Sequence, residues 1–214
     1  MDFHTKLGFF KNSKKYVVPH GIILDGDTHV KQNSGKEFLF VGRIVEYKGP
    51  HIAVQAFKKI KDKDARLHIV GKGSYLDALK QIAGDDERII FHGFVQNKAD
   101  LEQIFKKCSY MIVPSIFYEI FGFTIIEAMN NGLPVIGSNL GAIPEIIKDG
   151  CNGFLFEAGN INSLNSIIEN LLNNKAMLPR LSKNAFESSK NFSIEEQIKK
   201  ILEIYDEVSF KNRN

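Results

Sequence analysis

Short apolar runs alternate with segments of helical periodicity along most of the chain. Short, mainly apolar runs without regular polar alternation predict strands at 38–42, 67–71, 89–93, 110–114, 134–137 and 153–156. The segments between them carry apolar residues at helical spacing and predict helices at 49–61, 75–83, 99–108 and 123–131. Two more helices are predicted after the last strand, at 163–173 and 193–210.

This alternation determines the fold class. Strands that are apolar throughout are buried on both faces, which is typical of a parallel sheet covered by helices. Short connections between alternating strands and helices give right-handed crossovers in such a sheet. We therefore predict an α/β fold, a Rossmann-like doubly wound parallel sheet of about six strands with helices on both faces.

The two ends of the chain differ from this pattern. The first 35 residues have the composition of a linker, with Pro19-His20-Gly21 followed by a polar stretch. The closing helix begins with Ser193 and Glu196 at capping-box spacing, and its apolar positions from Ile194 to Val208 form one stripe. The chain is accordingly divided into a linker at 1–35, an α/β domain at 36–192 and a closing helix at 193–214.

Composition excludes several classes of protein. Of the 214 residues, 43% are hydrophobic and 25% charged, and the net charge is +3, which is ordinary globular usage and excludes disorder, collagen and a coiled coil. No run approaches the roughly 18 apolar residues of a membrane span. The two cysteines, Cys108 and Cys151, are too few for a disulfide scaffold or a thiolate metal site and fit a reducing cytosol. Because no basic stretch is interleaved with aromatic residues, we predict no nucleic-acid partner.

Candidate chemistry is concentrated in the loops that follow the strands, where an open parallel sheet binds ligands. After the fourth strand, Glu119 lies in a loop, Gly122 opens a helix and Glu127 lies one turn inside it. The first amides of that helix form a natural phosphate seat, and the two acids are placed to hold different parts of one extended ligand. The alternative is that both acids only stabilise the helix N-terminus through its dipole.

Two cations follow the first strand, in Val-Gly-Arg-x4-Lys-Gly at 41–49. Arg43 and Lys48 beside a helix N-terminus suit a diphosphate leaving group. The alternative is an ordinary surface arginine and lysine. After the second strand, Gly71-Lys72-Gly73 begins like a dinucleotide fingerprint, but Leu76 stands where the motif has glycine, so a nicotinamide cofactor is not expected. The six histidines show no metal-ligand spacing.

The ordered series of motifs resembles the nucleotide-sugar-binding half of glycosyltransferase family 4, whose members are retaining enzymes with the GT-B fold. The resemblance extends over 19–156 and rests on the motif at 41–49, Gly-x-Gly at 71–73, Gly-Phe-Val at 93–95, Pro-Ser-x3-Glu-x-Phe-Gly-x4-Glu-Ala at 114–128, Gly-x-Pro-Val at 132–135, Gly-Ala-Ile-Pro-Glu at 141–145 and Asp-Gly-x-x-Gly-Phe-Leu at 149–155.

The resemblance implies a role for each candidate residue. Arg43 and Lys48 would bind the diphosphate of a nucleoside diphosphate sugar, and Glu119 would contact the sugar; these three are the expected catalytic residues. Glu127 would hold the ribose hydroxyls. The remaining donor-binding positions would be Gly42, Val95 beside the base, and Phe121, Gly122, Phe123 and Thr124, whose backbone would hold the sugar and phosphates. The resemblance also implies retention by same-face attack, with no metal and no cofactor.

The resemblance further implies an acceptor-binding N-terminal domain that this sequence lacks. We expect an excised C-terminal domain or a natural half that needs a partner chain, in either case with little hexosyltransferase activity alone. A non-catalytic nucleotide-sugar-binding or interaction module and a GT-B sugar-nucleotide epimerase stay open as alternatives. We expect a cytoplasmic protein, and peripheral contact with the inner face of the membrane stays open.

Overall fold

The computed structural model describes residues 14–24, 30–32 and 34–211. The described residues up to Ile23, together with those from Asn191 onward, form one compact unit, and Leu24–Lys190 form the other. Parts of the predicted linker, at 1–13, 25–29 and 33, lie outside the described residues. The division of the chain at residues 35 and 192 therefore stays a prediction.

The larger unit contains a six-stranded sheet in which every neighbouring pair is parallel. The strand order is β3-β2-β1-β4-β5-β6, so the chain builds outward from β1 in one direction and then returns to its other side at β4. The point at which the order reverses is where doubly wound sheets bind ligands. The strands are β1 Glu37–Val41, β2 Arg66–Val70, β3 Ile89–Gly93, β4 Tyr110–Val113, β5 Val135–Ser138 and β6 Gly153–Phe156.

Helices connect the strands as the periodicity predicts, with bounds that differ by a few residues. Two single-turn 3-10 helices occur at Glu46–Lys48 and Lys190–Phe192. The α-helices are α1 Pro50–Lys58, α2 Leu76–Ala83, α3 Lys98–Lys107, α4 Phe123–Asn130, α5 Ile143–Ile146, α6 Ile161–Asn173, α7 Met177–Ser189 and α8 Ile194–Lys211.

The core confirms that the sheet is covered on both faces. Phe38 and Phe40 project to one face of β1 and Leu39 to the other, and all three are at most 3% exposed. Phe38 packs edge-on against Phe57 of α1, with 5.9 Å between the ring centroids. Helix α1 packs against α2 and α6, whereas α4 packs against α7. The predicted Rossmann-like α/β fold is therefore confirmed.

Helix α7 is the one long element that the sequence analysis missed. Its buried face consists of Leu178, Leu181, Ser182, Ala185 and Ser189, of which only two residues are large and apolar. Pro179 in its first turn also weakened the helical pattern, although proline is tolerated there because first-turn amides lack intrahelical partners. The buried Ser182 hydroxyl donates to the carbonyl of Gly132, so a polar contact fixes this helix where apolar periodicity is weak.

The smaller unit is organised around the start of α8. Ile22 forms a parallel bridge with Ser193, and the amide of Gly21 donates to Oε1 of Gln197 at 2.9 Å. The amide of Glu196 donates to Oγ of Ser193 at 3.2 Å, which confirms the predicted N-cap.

Two histidines, buried His68 and exposed His92, link the first three strands. His68 of β2 is 1% exposed, and its Nε2 lies 2.6 Å from Oε2 of Glu37 while its Nδ1 lies 2.8 Å from Nε2 of His92. The pairing of β2 with β3 shifts by one residue at His92, next to the contact between the two rings. Burial lowers the pKa of His68, against the opposing effect of Glu37. Partial desolvation lowers the pKa of the exposed His92, and the neighbouring His68 and Lys107 lower it further.

These histidines predict a loss of stability in acid. A histidine whose pKa is lower in the folded than in the unfolded chain contributes stability above its unfolded pKa of about 6.5 and loses it as the pH falls further. The free energy of unfolding, measured in urea, should therefore decrease from pH 7.5 to about pH 5.5. His92→Gln removes one titrating ring and can still donate to His68, so it should reduce that slope; an unchanged slope contradicts the assignment.

A second prediction concerns the glycine that precedes α1. Gly49 has a φ of +68°, and a Cβ atom there would lie 1.9 Å from the carbonyl oxygen of Pro114. Gly150 has a φ of +70° but open space around the same position, which makes Gly150→Ala a matched control. Gly150→Ala should cost about 1–2 kcal/mol for the left-handed conformation alone. Gly49→Ala should cost about 1–3 kcal/mol more in urea denaturation, because the two loops must separate, and equal costs would contradict this packing.

Candidate active site

Two adjoining cavities open at the carboxyl ends of β1, β2 and β4, where the strand order reverses. Their volumes are about 380 Å³ and 300 Å³, and they share the lining residues Val41, Gly42, Arg43, Phe94 and Thr124. The larger cavity is completed by Phe40, Lys48, Ile112, Val113, Pro114, Ser115, Glu119 and Gly122, and the smaller by Val70, Gly71, Lys72, Val95, Leu101 and Glu127. The shared wall makes them two parts of one cleft.

The loop after β1 is held by backbone hydrogen bonds to the loop after β2. The amide of Gly42 donates to the carbonyl of Val70 at 3.0 Å, and that of Ile44 donates to the carbonyl of Lys72 at 2.9 Å. The Ile44 side chain is buried in the core and so holds the loop in place. Arg43, between these anchors, is exposed, and its guanidinium lies 5.6 Å from the ring centroid of Tyr47. The loop thus fixes the backbone of Arg43 and leaves its charge at the cleft surface.

The strongest polar contact in the cleft joins the loops after β1 and β4. Both carboxylate oxygens of Glu119 accept hydrogen bonds from Nζ of Lys48, at 2.6 and 2.8 Å. The buried Ser115 hydroxyl donates a third bond to the same carboxylate. The side chains of Lys48 and Glu119 are only 26% and 16% exposed, so their charges are mutually neutralised where solvent screening is reduced.

The N-terminus of α4 opens on the larger cavity. Gly122 is its N-cap, with a φ of +93°, and no side chain caps the helix through a hydrogen bond. Gly122 and Thr124 both line the cavity. The first amides of a helix have no partners within it and carry the positive end of its dipole, so this end of the cleft favours an anion.

The smaller cavity combines one carboxylate with apolar walls. Glu127 lies on α4, and none of the described residues donates a hydrogen bond to its carboxylate. Burial raises the pKa of Glu127, against the opposing charge of Lys98. Across the cavity, Nζ of Lys72 lies 4.3 Å from the ring centroid of Phe94, and Val95 and Leu101 complete the apolar wall. A ligand here meets a flat aromatic surface, a cation and an acid that can accept hydrogen bonds.

The structure brings most of the predicted site residues to this cleft. Gly42, Arg43, Lys48, Glu119, Gly122 and Thr124 line the larger cavity, and Val95 and Glu127 line the smaller one. Phe121 and Phe123 do not line either cavity; their rings contact each other with centroids 4.8 Å apart. Their predicted contribution was the backbone of this loop, which stays a prediction.

The lining includes residues that were not predicted as site residues, among them Ser115, Lys72 and Leu101. Ser115 and Lys72 stand inside motifs that the sequence analysis had singled out, so adjacency to those motifs was an available signal. Leu101 lies on α3, and no local pattern distinguishes it from other apolar positions of that helix. Its place in the cleft depends on how α3 packs.

Two kinds of feature are absent from the described residues. None of the helices in 14–24, 30–32 and 34–211 is long and apolar enough to cross a membrane. Within that same part of the chain, no three histidine, cysteine, aspartate or glutamate side chains are grouped to hold a metal ion.

Comparison with known proteins identifies the family. A family model described as glycosyl transferases group 1 matches residues 26–188. The chain belongs to this family. An uncharacterized glycosyltransferase of Methanocaldococcus jannaschii is 33% identical over 174 residues, which cover 80% of this chain and 48% of that protein. The phosphatidyl-myo-inositol mannosyltransferase of Mycobacterium leprae is 28% identical over 200 residues, covering 90% and 53%.

Solved structures agree with this glycosyltransferase group 1 assignment. The crystal structure of Anabaena HepE in complex with UDP matches with a TM-score of 0.72 and 25% identity, over 80% of this chain and 49% of that one. A second HepE structure, in complex with UDP-glucose, matches with a TM-score of 0.71 and the same identity and coverage. The chain thus spans about half the length of the relatives that it matches.

Proposed function

We propose that this glycosyltransferase group 1 domain binds the donor of a retaining family 4 glycosyltransferase, which transfers a sugar from a nucleoside diphosphate sugar to an acceptor. The observation that carries the proposal is one cleft lined by Arg43, Lys48, Glu119 and Glu127 at the N-terminus of α4. The HepE complexes with UDP and UDP-glucose support the same class of ligand.

The diphosphate is assigned to the larger cavity. Arg43 and the N-terminus of α4 supply positive charge to it, and Lys48 adds its charge once it leaves the Glu119 carboxylate. The same groups stabilise the charge that develops on the diphosphate as its bond to the sugar breaks. In this mechanism these fixed cations do the work that a divalent ion does elsewhere, so we propose that transfer needs neither a metal nor a cofactor.

The nucleoside is assigned to the smaller cavity. The carboxylate of Glu127 accepts hydrogen bonds from the ribose hydroxyls, and the base lies against Phe94 and Val95. Because Arg43 and Thr124 line both cavities, the diphosphate lies in the larger cavity beside the wall that it shares with the smaller one.

The sugar is assigned to Glu119, whose carboxylate can accept from sugar hydroxyls. The bond from the anomeric carbon to the phosphate oxygen breaks, and the acceptor oxygen forms its bond on the same face. The proton of the acceptor hydroxyl passes to the departing phosphate oxygen, so the configuration is retained without a covalent sugar–enzyme intermediate. We further propose that an N-terminal domain, in the same protein or a separate chain, holds the acceptor, and that the protein is cytoplasmic; peripheral contact with the inner face of the membrane stays open.

The role of Arg43 can be tested by calorimetric titration with UDP, GDP and ADP. Arg43→Ala removes a charge-assisted contact worth about 1.5–3 kcal/mol, so it should lower the affinity for the nucleoside diphosphate by about 10- to 100-fold. Arg180→Ala removes an exposed arginine of α7 outside the cleft and should leave the affinity unchanged. If the unaltered chain binds none of the three nucleotides, or if both variants behave alike, the phosphate assignment is wrong.

The role of Glu127 predicts a pH dependence. The ribose hydroxyls need the ionised carboxylate as acceptor, and the pKa of that carboxyl lies above its usual value. The affinity of the unaltered chain for the nucleoside diphosphate should therefore fall as the pH is lowered from 7.5 to about 5. The loss should be larger than protonation of the ligand's own phosphate explains. Glu127→Gln should bind about 10-fold more weakly at pH 7.5 and lack this additional loss. Parallel pH profiles for the two proteins would contradict the assignment.

A further inference from the structure

We infer that Glu119 discriminates against the sugar-free nucleoside diphosphate by holding Lys48 until a sugar replaces it as partner. This inference rests on the proposed function and adds to it a second role for Glu119, which the sequence analysis had assigned to the sugar alone. Glu119 then promotes release of the nucleoside diphosphate product.

The geometry shows that Lys48 is paired with Glu119 and is not a free cation. Its ammonium group donates to both oxygens of the Glu119 carboxylate. The two side chains are mostly buried, so the pair is stronger than an exposed ion pair, for which about 0–1 kcal/mol is usual. A diphosphate that approaches Lys48 must displace this carboxylate or accept a like charge beside it.

The backbone holds Glu119 in this position. The carbonyl of Glu119 accepts from the amide of Ala142 at 3.0 Å, and a Cβ atom on Gly141 would lie 2.7 Å from the Glu119 amide nitrogen. The Ser115 hydroxyl adds a bond to the carboxylate itself. Withdrawal of Glu119 from the cleft would need a rearrangement of these contacts, so its carboxylate stays near the phosphate position.

A sugar on the ligand changes which partners are available to Lys48 and Glu119. When Lys48 turns to the diphosphate, the Glu119 carboxylate loses its cation in a partly desolvated place, which is costly unless new donors replace it. Sugar hydroxyls supply such donors, whereas the nucleoside diphosphate alone does not. Arg43 differs, because its guanidinium lies over the Tyr47 ring and not against Glu119. Competition between carboxylate and phosphate is therefore specific to Lys48.

The test is calorimetric titration of Glu119→Gln with the nucleoside diphosphate that the unaltered chain binds, and with its sugar conjugate. The neutral amide frees Lys48, so the diphosphate should bind about 3- to 10-fold more tightly. The sugar conjugate should gain less or bind more weakly. Glu119→Ala should tighten the diphosphate in the same direction, and serves as the second variant if the glutamine perturbs folding. Glu87→Gln, which removes an exposed acid outside the cleft, should change neither affinity.

A double variant assigns the gain to the ion pair. In a Lys48→Ala background, Glu119→Gln should no longer tighten the diphosphate, because there is no lysine to release. If the unaltered chain binds the nucleoside diphosphate and neither Glu119→Gln nor Glu119→Ala binds it more tightly, this inference alone is overturned. It is also overturned if Glu119→Gln still tightens binding in the Lys48→Ala background. If neither the unaltered chain nor the Glu119 variants bind any nucleoside diphosphate, the proposed function fails, and this inference fails with it.

Discussion

The cleft depends on the close backbone contact between the loops that follow β1, β2 and β4. Gly49 approaches Pro114 so closely that no side chain fits, and the amide of Ile116 donates to the carbonyl of Tyr47 at 3.0 Å. On the other side of β1, the amide of Ile44 reaches the β2 loop. Because β1 is central and neighbours both β2 and β4, a single loop can be tied to both sides of the point at which the strand order reverses.

This backbone framework explains how a small domain holds opposing charges together. Lys48 and Glu119 come from loops that the framework fixes, so little conformational entropy is lost when they pair. The same rigidity keeps the N-terminus of α4 open on the larger cavity. The positive end of the helix dipole and the exposed Arg43 are the charges that the ion pair leaves available to an anion.

The sequence predicted the sheet well because its signal is local. Continuous apolar runs such as Phe38–Val41 are set by burial on two faces, and the turns after them are marked by glycine and proline. Helix α7 was missed because its buried face uses serine and alanine next to two leucines, and a polar contact from Ser182 fixes it. Periodicity in the sequence is recognised from large apolar side chains, so a buried face made mainly of serine and alanine is not detected.

The motifs also predicted which loops would meet, but not the contacts among their side chains. Residue type and position suggested a diphosphate for Lys48, and the family resemblance implied a sugar for Glu119. The two roles were separate because each residue lies in its own motif. That they neutralise each other depends on the pairing of β1 with β4, which brings residues 71 positions apart within 2.6 Å. A carboxylate that contacts the sugar during the reaction can thus also oppose binding of the sugar-free nucleoside diphosphate. The free energy of this change of partner is decided by burial, because an exposed carboxylate would regain water at little cost, whereas one that is 16% exposed needs a replacement donor from the ligand.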